Sequence, residues 1–146
     1  MATIVTRDFE ALYVYKHGDY QRCLQLLSTQ NVHKLLYGDS WPIVLILPAF
    51  IVLFDDDILS LAALKLIVNL ELTKTRNVFV TQLTLSLYLM TQCQLKLRHS
   101  LTSLAQTLDY IEVAKRRHTV DRIMDHLTLK LAERKIFMYL TMTMNN

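Results

Sequence analysis

Glycine and proline are scarce, with two of each in 146 residues. That count excludes glycine-rich phosphate loops and proline-rich recognition arms, and it leaves few residues for tight hairpin turns. Cysteine is almost as rare. Cys23 and Cys93 allow one disulfide but no disulfide framework. Charged residues make up 20% against 52% hydrophobic, which is too apolar a balance for extended disorder. No zinc signature, nucleophile elbow or cysteine–histidine arrangement occurs. Met1–Phe9 is short and mixed and does not read as a secretory leader, so two buried thiols are expected.

What is present is apolar periodicity. The length suits one domain, assigned to residues 1–140, with residues 141–146 as a frayed tail. An all-α array of six or seven antiparallel helices is expected. A first helix reaches His17, and Gly18 breaks it with Asp19 as the next cap. The second helix carries Tyr20, Cys23, Leu24 and Leu27, and its pattern can continue to Leu36. Gly38–Pro42 is the clearest break. A long helix is predicted from Phe79 or Val80 to Leu97, although Thr81, Leu83, Leu85, Leu87 and Leu89 also alternate as in a strand. Ser100 and Thr119 are candidate caps for two further helices, with Leu101, Leu104, Leu108, Ile111 and Val113 inward in one. Ile123, Leu127 and Leu131 are placed inward in the other, with Ile136 or Tyr139 continuing the face.

Trp41–Phe54 is an uncharged run of 14 residues, shorter than the roughly 18–20 a spanning helix needs. Two prolines interrupt it and Asp55, Asp56 and Asp57 end it. Its β-branched residues permit a strand, but a lone strand lacks a backbone partner, so one or two buried helices are predicted. The three aspartates fit a helix cap better than a metal site, because consecutive helical residues diverge by about 100°.

Ala11–Gln30 resembles the central part of a tetratricopeptide repeat. Ala11 occupies the small position of the first helix, and Gly18, Asp19 and Tyr20 match the turn and its aromatic. Cys23 stands at the small position of the second helix and Leu27 at its bulky one. Phe9 does not fall on the usual tryptophan position, and no proline closes the unit near Leu35. The resemblance covers about 20 residues and implies a degenerate solenoid that recognises other proteins without chemistry of its own.

Charge is uneven. Residues 1–72 carry five Lys/Arg against eight Asp/Glu, whereas residues 73–146 carry eleven against five. The late surplus includes Lys115, Arg116, Arg117 and Arg122. His118, Asp121, Arg122 and Asp125 share a face only if the last helix starts early. With Thr119 as its cap, His118 lies outside, and Asp121, Arg122 and Asp125 read as surface pairing. No catalytic residue, cofactor or metal is assigned. The expected function is a non-enzymatic, cytoplasmic protein–protein scaffold, or a self-associating one. Its contact surface is assigned to Tyr13, Tyr20, Arg22, Lys115, Arg116, Arg117 and Arg122. The alternatives are membrane association through Trp41–Phe54 and nucleic-acid binding through Lys115–Arg122, the latter needing only cations within reach of phosphate.

Overall fold

The structure is a computed structural model that describes residues 3–27, 29–38, 43–45, 79–118 and 123–144. Among them are six helices and one pair of short strands. The order is α1 (Thr3–Lys16), α2 (Tyr20–Leu27), α3 (Thr29–Leu36), β1 (Ile43–Leu45), β2 (Phe79–Thr81), α4 (Gln82–Lys96), α5 (Leu101–Arg117) and α6 (Ile123–Met144). The all-α class holds. Asp55–Asp57, Thr119, Asp121 and Arg122 lie outside the described residues, as does Trp41–Phe54 apart from Ile43–Leu45.

Helix α4 is the axis of the array, packed against α1, α2, α3, α5 and α6. Twelve of its residues are buried, from Gln82 to Thr91 without a break and again at Cys93 and Gln94. A helix enclosed on every side has no polar face, so its 3.6-residue period fades from the sequence. That enclosure explains why its leucines also read as a strand. Leu83, Leu85, Leu87 and Leu89 are all buried, each contributing roughly 1.5–3 kcal/mol relative to an exposed side chain. Two of its polar side chains, Gln92 and Gln94, bond across to neighbouring helices. The Thr107 hydroxyl donates to Gln94 Oε1 at 2.6 Å, and the Gln92 amide donates to the Tyr15 hydroxyl at 3.1 Å.

The outer helices bury stripes at helical spacing. On α5 the stripe is Leu104, Thr107, Ile111 and Ala114, and it continues to His118. Leu101, expected inward, is exposed at the first position of the helix, while Leu108 and Val113 are half-buried. On α6 the buried face is Met124, Asp125, Thr128, Leu129, Ala132 and Ile136. The expected Leu127 and Leu131 flank it half-buried, because Asp125 turns inward and sets the helix's rotation.

The helix ends follow local chemistry. Gly18 has φ +85°, which an L side chain rarely adopts. Its N–H and that of Asp19 close α1 by bonding the carbonyls of Tyr15 and Val14 at 3.0 and 2.9 Å. Asp19 Oδ1 then accepts the Arg22 N–H at 3.2 Å and caps α2. The end of α4 has the same pair of bonds, from Arg98 to Leu95 and from His99 to Gln94. Arg98 occupies the left-handed position there with φ 54°, a strain on the order of 1 kcal/mol. Ser100 caps α5 as expected, accepting the Ser103 N–H.

Three expectations are corrected. Ile43–Leu45 is a strand rather than helix, because it does have a partner. It pairs antiparallel with Phe79–Thr81 in the register Ile43 to Thr81, Val44 to Val80 and Leu45 to Phe79. Phe79–Thr81 is therefore strand, and the long helix begins at Gln82 with the Thr81 hydroxyl as its cap. The expected tail is helical as far as Met144, with the Thr141 and Thr143 hydroxyls bonded to carbonyls one turn back. No helix among the described residues is long and apolar enough to cross a membrane.

Candidate functional site

The densest polar constellation lies where β2 meets α4, at the junction with the end of α5 and the start of α6. Asp125 Oδ1 accepts the Thr81 N–H at 2.8 Å and the Thr81 hydroxyl at 3.1 Å. His118 Nε2 lies 3.1 Å from Thr81 Oγ1, 3.2 Å from Thr84 Oγ1 and 3.4 Å from Asp125 Oδ1. Its Nδ1 faces the Ala114 carbonyl at 2.8 Å, an acceptor only, so Nδ1 carries a proton. The His118 and Asp125 side chains are 0% and 1% exposed. The His126 ring stands edge-on to His118 with centroids 6.0 Å apart.

Burial pushes the Asp125 carboxyl up. Hydrogen bonds from the His118 and Thr84 side chains and the Thr81 N–H, together with the His118 charge, outweigh that effect. The net result holds Asp125 below the ordinary aspartate range, as a carboxylate.

Histidine, carboxylate and hydroxyl invite comparison with a hydrolytic triad, and the geometry differs. A triad places its carboxylate on one imidazole nitrogen and its hydroxyl on the other. Here both converge on Nε2, and a backbone carbonyl occupies Nδ1. The groups are also sealed from solvent. The cluster fastens three elements: Thr81 caps α4, His118 ends α5 and Asp125 opens α6. Asp125, read from the sequence as surface pairing, is thus an interior tie. Thr128, one turn further along α6, has a buried hydroxyl with no hydrogen-bond partner among the described residues. No group of three metal-ligating side chains occurs among the described residues, and no disulfide joins the buried Cys23 and Cys93.

The residues assigned to contact from the sequence fall into two sets. On the first hairpin, Tyr13 is exposed with its ring against His17 at 4.2 Å. Tyr20 is half-buried, 5.7 Å from the Tyr15 ring and packed on the core. Arg22 is exposed and pairs with Glu10 across the hairpin at 3.2 Å. At the end of α5, Lys115 reaches Glu133 of α6 at 3.2 Å. Arg117 donates to the carbonyls of Leu36 and Gly38, so its guanidinium caps the end of α3. Arg116 is exposed and bonds only its own helix, at the Glu112 carbonyl, in the contacts resolved for it. Arg122 lies outside the described residues. Lys115 and Arg117 are therefore engaged in joining helices.

The sequence did not single out the exposed face of α6. Phe137, Met138 and Met142 are 52%, 55% and 67% exposed. At 3.6 residues per turn, Lys130, Arg134, Phe137, Met138, Thr141 and Met142 occupy one stripe of roughly 140°. All six are exposed. The pattern offered a signal, since Ile136–Leu140 is a run of five apolar residues and a helix face cannot bury all of them.

The molecule is thus an all-α array around a buried central helix, carrying an internal polar tie and an open, partly apolar helix face. In comparisons with protein-family models, with curated proteins and with solved structures, the chain matches none.

Proposed function

We propose that this chain is a non-enzymatic, cytoplasmic helical scaffold that works by contacting another protein. The observation that carries the proposal is the α6 stripe, where three large apolar side chains stay exposed while the strongest polar cluster is sealed inside. Methionine and phenylalanine are enriched where proteins meet, and a contiguous exposed apolar face marks such sites. The α1–α2 hairpin supports the same reading as a degenerate tetratricopeptide-like unit. Ala11 and Cys23 are buried in the core they share with Leu27, and Tyr20 packs beside it.

A photo-crosslinking side chain at Met138 tests this. A discrete protein adduct is expected from position 138 and none from the exposed Thr102 on α5. Adducts from both positions alike, or only lipid or nucleic-acid adducts from position 138, would overturn it.

A further inference from the structure

We infer that the α6 stripe receives an acidic amphipathic helix of a partner protein, an inference that rests on the reading of the chain as a protein-contact module. The stripe runs from Lys130 to Met142, roughly 18 Å at 1.5 Å per residue, the length of about three helical turns. It is divided along that length. Phe137, Met138 and Met142 form its apolar end, while Arg134 and Lys130 follow one and two turns nearer the start of the helix. No carboxylate stands on the stripe. Glu133 of the same helix is half-buried and turned to Lys115, and Asp125 is interior.

This division specifies the occupant. A helix laid along the stripe needs apolar side chains at i, i+3 and i+4 to cover the Phe137–Met142 end. It also needs carboxylates beginning about one turn beyond them, to meet Arg134 and then Lys130. A second copy of α6 does not satisfy this, since its stripe brings no carboxylate to either cation in either orientation. A lipid surface fits less well. Arg134 lies on the midline of the stripe, between the directions of Phe137 and Met138, whereas interfacial helices keep their cations to the polar side. Two cations beside three large apolar groups also make a poor phosphate track.

The test uses the full chain and three labelled helical peptides with the same apolar positions. The polar positions facing the basic end carry Glu in one peptide, Gln in the second and Lys in the third. The Glu peptide is expected to bind at least tenfold more tightly than the Gln peptide, with the Lys peptide weakest. Raising salt should narrow the difference. The pair Lys130→Glu and Arg134→Glu should reverse the order, and Phe137→Ser with Met142→Ser should weaken all three. Backbone amide shifts of the wild-type chain on titration should map to residues 130–142, which locates the site without relying on any variant. Equal binding of the Glu and Gln peptides at α6 would overturn the acidic partner and leave protein contact standing. No peptide binding at all, with a Met138 protein adduct still formed, would do the same. Binding of phosphatidylserine vesicles or of a single-stranded oligonucleotide through the stripe, with no peptide binding, would overturn both.

Discussion

The two ends of α6 reverse the usual placement of residues. Its first turns bury a carboxylate and a threonine hydroxyl, whereas its last turns expose a phenylalanine and two methionines. The reversal shows that partners decide burial more than residue type does. Asp125 can be interior because Thr81 and His118 meet it with hydrogen bonds. Phe137 and Met142 are exposed because they lie on the side of α6 away from Ala132 and Ile136. A charge with partners inside the fold is structural, and an apolar group that the fold leaves in solvent is not held by it.

Asp125 carries the largest expected effect. Asp125→Ala leaves the buried Thr81 N–H without its acceptor and removes the carboxylate beside the Thr81 hydroxyl and His118 Nε2, and should cost about 3–5 kcal/mol in urea unfolding. The same group sets an acid limb. Its folded pKa lies below the ordinary value of 3.8, so the unfolded chain binds the proton more readily. Stability from this group is full above that ordinary value and is lost as pH falls through the folded one. Asp125→Asn should flatten that limb in unfolding curves taken at successive acidic pH values, and an unchanged limb would show that the tie contributes nothing.

A smaller break separates two neighbouring arginines. Arg117→Ala removes the cap on α3 and should cost about 1 kcal/mol. Arg116→Ala should stay within about 0.5 kcal/mol of the parent. Equal effects in thermal unfolding would mean that the cap carries no stability. Thr128 gives the opposite sign at the same buried end. Its hydroxyl is interior and has no hydrogen-bond partner among the described residues, so Thr128→Val should raise stability by about 1 kcal/mol, where loss of the bonded Asp125 lowers it. The smallest effect belongs to the open end. Phe137→Ser with Met142→Ser should change stability by less than about 0.5 kcal/mol, and a large loss in chemical unfolding would show that the stripe is packed rather than exposed.

Local chemistry was readable from the sequence, and long-range partnership was not. Gly18, Asp19 and Ser100 act through residues a few positions away, and each stands at the helix boundary assigned to it. The strand pair was missed because Ile43–Leu45 finds its partner at Phe79–Thr81, far along the chain. The polar tie was missed for the same reason. His118 lies 37 positions from Thr81, Asp125 lies 44 from it, and Arg117 reaches Leu36 across 81. No periodicity in a single sequence encodes those separations. The α6 face was missed because Leu127 and Leu131, expected inward, imply a different rotation of the helix from the one the buried Asp125 sets.

The enclosure of α4 also sets an order of opening. Its amide protons are covered by five other helices, so they exchange with solvent only when the whole array comes apart. The last turns of α6 can fray and exchange without disturbing that centre. In deuterated water the exchange map should therefore be graded, slowest along Leu83–Met90 and fastest beyond Phe137. The end of α6 can rearrange while the centre keeps its hydrogen bonds closed.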